Sequence, residues 1–264
     1  MKPRRARRTH AMTPRPGELL LIPLRTLPEI RRGADLGALV ARAAAREAVE
    51  FQRGDVLVMA QKIVSKAEGR TVRLASVTPS TLAREWAPRL GHDPRLTEVV
   101  LRESRRVLRM TDRALIVETR HGFVCANAGV DRSNVPGANV TCLPLDADAS
   151  ARRISSALRR RTGISVPVIV SDTFGRPWRL GLVNVAIGCW GLRVLEDLRG
   201  TRDSYGHPLR ATVLAVADEL AAAAGLLMGK TAAVPAVIVR GLRYSPARES
   251  AQRLLRPAAE DMFR

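Results

Sequence analysis

The sequence predicts a globular chain that mixes helices with strands, on three observations. Short apolar, β-branched runs stand at 18–24, 55–60, 166–170 and 235–240. Longer stretches with apolar residues on helical spacing lie at 35–50, 80–109, 148–161 and 212–228. The chain has 264 residues, 46% of them hydrophobic, enough for one large domain or two small ones to bury a core without staples. No apolar run approaches the roughly 20 residues needed to cross a bilayer, and the N-terminus lacks the apolar segment of a signal peptide, so no membrane is expected. Cys125, Cys142 and Cys189 are odd in number and form no CxxC pair, which predicts neither a disulfide framework nor a zinc site and fits a reducing cytoplasm.

The formal charge of +19 first suggests nucleic acid, because Arg and Lys neutralising phosphates supply most non-specific binding. Composition argues the other way. Nearly all the positive charge is Arg, spread along the whole chain, and aromatics are only 3%, too sparse for base-stacking platforms. The lysines are only Lys2, Lys62, Lys66 and Lys230, and in so Arg-biased a chain a retained Lys points to a need for a compact point charge.

In chain order, residues 1–16 are basic, proline-containing and aperiodic, and predict a disordered tail. A first strand follows at 18–24, broken by the segment Arg25 to Ile30. Asp35 is placed to cap a helix running to about Glu50. The strand at 55–60 leads into a polar exit, Gln61 to Lys66, closed by Gly69. Residues 80–109 read as helical, with Leu96, Val99, Val100, Val107 and Leu108 on one spacing. Residues 114–118 and 123–126 read as a strand pair turned at His121-Gly122. Asp148 to Arg161 is an amphipathic helix ending at Gly163. Leu198 to Leu209 is a turn-rich loop, Thr212 to Met228 an Ala-rich helix, and 235–240 a last buried strand. The tail from Tyr244 is helical at best.

Two stretches carry chemistry. The run 166–170 ends in Ser171-Asp172-Thr173, and Gly175 and Pro177 are expected to force the chain out of the strand there. A carboxylate and hydroxyl beside Arg176 and Arg179 suit a metal-bound phosphate, with oxygen ligands for a hard cation and guanidiniums for the anion. The competing reading is a solvated strand end. The second stretch, Ala126 to Gly137, is too polar and punctuated for a core element; it can hold a cation through Asp131 and a ligand through Asn134, or form a plain Asx-type turn. Gly225 to Thr231 (GLLMGKT) is not a P-loop, because only three residues separate its glycines and a helix precedes it. Gly229 is the expected cap of that helix, with Lys230 at its negative dipole end. GxGxxG, HExxH and GxSxG motifs are absent, which argues against a Rossmann dehydrogenase, a zincin and an α/β-hydrolase.

Taken together, Leu27-Pro28-Glu29, the run Gln61 to Gly69, the run Ala128 to Val135 and the run Ser171 to Arg179 resemble the coenzyme F420-0:L-glutamate ligase (gamma-glutamyl ligase) family. Asp197-Leu198-Arg199-Gly200, Asp203 with Tyr205-Gly206, and Ala217-Asp218-Glu219-Leu220 through Gly229-Lys230 continue the match in order. The resemblance covers nearly everything after the basic tail, so 17–264 is assigned as one catalytic domain. It implies an α+β fold of mixed or antiparallel sheets with flanking helices in two lobes, assembled as an intertwined homodimer. It also implies a GTP-dependent ligase using two divalent cations, Mg2+ or Mn2+, with K+ as a further candidate, and coenzyme F420-0 and L-glutamate as substrates. Asp131, Asp172 and Thr173 correspond to metal ligands. Leu27, Pro28, Glu29, Ile30, Gln61, Lys66 and Asn134 correspond to GTP contacts, to which Gly229 and Lys230 are added. Gln61 stands where many members have Ser or His, and Lys230 where some carry an acidic or amide side chain.

That chemistry agrees with the residues. A carboxylate is a poor electrophile, so amide formation needs a nucleotide γ-phosphoryl to make an acyl phosphate, and phosphoryl transfer is mainly positioning and charge neutralisation. Asp131 and Asp172 would hold metal; Lys66 with Arg176 or Arg179 would face phosphate. Two alternatives stay open: a nucleic-acid-binding protein with a continuous basic face, and an ATP-dependent carboxylate-amine ligase acting on another acid.

Overall fold

The computed structural model describes residues 13–112 and 114–261, so most of the basic segment at 1–16 lies outside the described residues. β1 (Leu20–Leu24), α1 (Leu36–Arg46), β2 (Val56–Ala60) and α2 (Gln61–Ala67) come first. A second lobe follows, made of β3 (Thr71–Arg73), α3 (Thr81–Leu90), α4 (Pro94–Glu103), β4 (Ser104–Met110), β5 (Leu115–Thr119), β6 (Val124–Ala126) and β7 (Asn139–Thr141). The chain returns through α5 (Ala147–Thr162), β8 (Val168–Arg176), β9 (Arg179–Trp190), β10 (Glu196–Asp197), β11 (Val213–Leu214), α6 (Val216–Met228) and β12 (Ala236–Arg240).

The result is an α+β protein with mixed and antiparallel sheets and flanking helices. Its main sheet has the order β1-β12-β2-β8-β9, in which only β2 and β8 run parallel. Leu57, Met59, Val168, Val170 and Ile238 face α1 and α5, while Val56, Val58, Ile169, Val237 and Val239 face α6. Strands covered on both faces need apolar residues at every position, which is why β2, β8 and β12 are continuous apolar runs in the sequence. The second lobe has its own core, where Val99 and Val100 of α4 meet Val117 of β5 and Val140 of β7.

Local signals act where they stand. Asp35 accepts from Ala38 N to cap α1, Asp146 from Ala149 N to cap α5, and Gly163 closes α5 at φ 73°. Cys125, Cys142 and Cys189 are free and buried, and no helix among the described residues is long and apolar enough to cross a membrane.

Four expectations need correction. The helical reading of 80–109 splits at Gly91 (φ 61°), restarts at Asp93-Pro94, and gives way at Ser104 to β4, so Val107 and Leu108 pack in a strand paired with β5. Residues 61–66 form a helix instead of a strand exit: Ser65 Oγ donates to Gln61 Oε1 one turn back at 2.7 Å, and Ile63 and Val64 bury themselves in the core. β8 does not end at Thr173 but runs on to Arg176 and turns through Pro177-Trp178 into β9, because a full antiparallel partner extends it. The Ala-rich helix begins at Val216, as Val213–Leu214 instead pairs with Glu196–Asp197.

Candidate functional site

A cavity of about 520 Å³ opens where β2 passes directly into α2 and β8 passes its irregularity. Five other segments close around it: the stretch after β1, the loop between β6 and β7, β9 at Leu182 and Asn184, the end of α6, and the link into β12. The register of β8 on β9 slips between Val170 and Ser171, whose partners are Gly188 and Ala186, leaving Ile187 as the extra residue. A bulge of this kind re-aims the side chains that follow it. Leu27, Pro28, Glu29, Ile30, Gln61, Lys66, Asp131, Asn134, Asp172, Thr173, Gly229 and Lys230 all line the cavity.

Each is held by a local device. Ile30 is buried in the main core and anchors the segment Leu27 to Ile30. Asp131 exchanges two backbone hydrogen bonds with Thr141, at 3.0 and 2.9 Å, which docks its loop against β7. Asn134 takes φ 53°, a left-handed conformation that Asn tolerates, and its Nδ2 donates to Lys230 O at 3.2 Å. Gly229 ends α6 at φ 50° and ψ −179°, a region open essentially to glycine alone. Lys230 is thereby turned off the helix end into the cavity lining.

The electrostatics divide the two carboxylates. Burial raises the Asp131 pKa, but Lys62 and the Ser133 N–H outweigh it and hold the carboxyl below its ordinary value. Lys62 Nζ lies 2.7 Å from Asp131 Oδ2, and Ser133 N donates to Oδ1 at 2.7 Å. Asp172 is pushed up to about 6, first by burial and further by the charge of Asp131, against the Thr173 backbone, Lys230 and Lys62. Lys66 Nζ meets Glu29 Oε1 at 2.5 Å.

Among the described residues no three His, Cys, Asp or Glu side chains gather into a metal cage. Asp131, Asp172 and Thr173 all line the cavity, and their carboxylate and hydroxyl oxygens are of the type that hard cations take.

Arg176 and Arg179 are elsewhere. They pair with each other across the tip of the β8–β9 hairpin, outside the lining, and Arg176 Nη2 donates to Leu180 O at 2.7 Å. The cavity adds Lys62, which the scarcity of lysine already marked. It also adds Asn184, a strand-interior residue with no sequence signal.

The sequence profile of the family described as F420-0:Gamma-glutamyl ligase matches residues 25–241. The chain is 46% identical over 241 residues to the coenzyme F420:L-glutamate ligase of Methanopyrus kandleri, covering 89% of this chain and 94% of that one. It is 45% identical over 247 residues to the protein of the same name from Methanothermobacter thermautotrophicus, covering 92% and 98%. A third such protein, from Natronomonas pharaonis, is 44% identical over 245 residues, covering 90% and 92%. The matched region spans every segment that lines the cavity, from Leu27 to Pro235, and on that extent and identity the chain belongs to the F420-0:gamma-glutamyl ligase family.

Proposed function

We propose that this chain joins L-glutamate to coenzyme F420-0 in coenzyme F420 biosynthesis, driven by GTP. The observation that carries the reading is one cavity in which the carboxylates of Asp131 and Asp172 and the hydroxyl of Thr173 lie among Lys62, Lys66 and Lys230. Its volume, about 520 Å³, is in the range of nucleotide and cofactor pockets. Carboxylates and lysines mixed in one concave cavity suit a metal-bound triphosphate better than the continuous basic face that a nucleic-acid backbone would need, which favours the ligase over the nucleic-acid reading.

In this reading the lactyl carboxylate of the acceptor attacks the γ-phosphorus of GTP, forming an acyl phosphate and releasing GDP. The glutamate amine then attacks the acyl carbon, losing a proton, and inorganic phosphate leaves. Asp131, Asp172 and Thr173 would hold divalent cations, Mg2+ or Mn2+, which would supply charge that screens the phosphates. Lys66 and Lys230 supply fixed positive charge, and Leu27 to Ile30, Gln61 and Asn134 orient the nucleotide.

Mass spectrometry of the product from F420-0, glutamate and GTP tests this directly, with a gain of one glutamyl residue per turnover expected. Asp172→Asn should keep the fold and lose at least about 10² to 10³ in ligation rate. Undiminished ligation by folded Asp172→Asn would remove the catalytic assignment, and tight, salt-sensitive DNA binding without ligation would favour the nucleic-acid reading. GTP binding followed by calorimetry should collapse in excess chelator; equal affinity there would contradict the metal roles.

A further inference from the structure

Thr173 and Asn184 face each other as direct partners across β8 and β9, and both line the cavity. Thr173 Oγ1 donates to Asn184 Oδ1 at 3.0 Å. A threonine hydroxyl has one proton and two lone pairs. With the proton committed to Asn184, Thr173 offers the cavity only lone pairs: it can ligate a cation or accept from an N–H, and it cannot donate to a phosphate oxygen.

The amide itself is held from the other side. Asn184 Nδ2 donates to Met228 Sδ at 3.7 Å. A thioether accepts weakly and cannot donate, so the nitrogen belongs on the Met228 side and the oxygen on the Thr173 side. α6 comes close enough to make this contact only because position 225 is glycine. A Cβ there would lie 2.9 Å from Asn184 Cγ and 3.1 Å from Nδ2, closer than real Cβ atoms can settle without displacing the amide.

We infer that Asn184 is a positioning residue that keeps Thr173 an obligate acceptor, and so a lone-pair ligand, toward a cation in the cavity, with Met228 and Gly225 fixing its amide. The inference rests on the reading of Thr173 as a cation ligand given above. Partners that orient a ligand in this way typically change metal affinity by about 10- to 100-fold when removed.

The test titrates Mn2+ alone into the full chain, follows the free ion by electron paramagnetic resonance, and records a melting temperature for each variant. Asn184→Leu keeps the packing volume against α6 but cannot accept the Thr173 proton, and should weaken Mn2+ binding by about 10- to 100-fold. Asn184→Asp keeps an accepting oxygen and should bind Mn2+ at least as well as the unaltered chain. Thr173→Val should weaken binding, and adding Asn184→Leu to it should cost nothing more. A purely structural Asn184 would reverse the first two results, with normal affinity in Asn184→Leu and loss of stability in Asn184→Asp. Normal Mn2+ affinity in Asn184→Leu beside weakened Thr173→Val overturns the positioning inference and leaves the ligand reading standing. Normal affinity in Thr173→Val overturns both.

Discussion

Asp172 is held where its own charge is disfavoured, its pKa pushed from 3.8 up to about 6 by burial and the neighbouring charge of Asp131. The sign of the linkage follows. Between about pH 4 and 6 the folded chain binds a proton that the unfolded chain has lost, so metal-free stability falls as pH rises through that window. The penalty is full above about 6 and on the order of 2–3 kcal/mol at most. Asp172→Asn should therefore raise the urea midpoint of the metal-free protein at neutral pH, with the difference closing toward pH 4. A variant less stable than the parent at neutral pH would show that the carboxylate is already compensated. Cation binding needs the ionised form, so Mn2+ affinity should decline as pH drops below about 6. Asp131 behaves oppositely, since Lys62 and Ser133 hold its carboxyl ionised before any cation arrives. The cavity thus contains one carboxylate already compensated and one in want of positive charge, which is a physical reason for a cation to bind at Asp172.

Between elements, packing reverses a rule that holds along a lone helix. Replacing glycine with alanine inside a helix normally gains about 0.5–1 kcal/mol. At Gly37 in α1, a Cβ would lie 2.4 Å from Ala157 Cβ and 3.1 Å from Ile154 O of α5. Overpacking of this kind costs about 1–3 kcal/mol, so the clash outweighs the gain and Gly37→Ala should lower stability by about 1–2 kcal/mol. A denaturant titration with an unchanged slope and a lower midpoint is the expected result; a higher midpoint would mean that α1 does not sit this close to α5. The same dependence on partners explains where local reading of elements failed. Ser104 to Arg109 keeps an apolar spacing compatible with a helix, but the edge of β5 recruits it as β4. Gly175 and Pro177 are strong breakers, yet nine residue pairs with β9 carry β8 through to Arg176.

For the whole molecule, the hairpin that carries Arg176 and Arg179 away from the cavity also presents Leu180 at 98% and Trp178 at 79% exposure. Apolar groups gathered near the tip of one hairpin suit an association surface, in keeping with the homodimer that the family resemblance implies. Leu180→Arg should shift the protein toward monomer in light scattering at micromolar concentration, and a parent protein that is already a stable monomer would end the dimer proposal. By itself the sequence determined the mixed helix–strand class, the buried runs of β2, β8 and β12, the caps at Asp35 and Gly163, and the segments that line the cavity. The class, the buried runs and the caps follow from periodicity and turn residues, legible from near neighbours in the chain; the cavity segments come mainly through the family resemblance that their motifs carry, which leaves out Leu182 and Asn184 of β9. Only the tertiary structure decided that Lys62 meets Asp131, that Asn184 faces Thr173, and that Arg176 and Arg179 ride on a hairpin. Those outcomes depend on strand register, a single-residue bulge and the approach of α6 over Gly225, all set by pairing between residues distant in sequence.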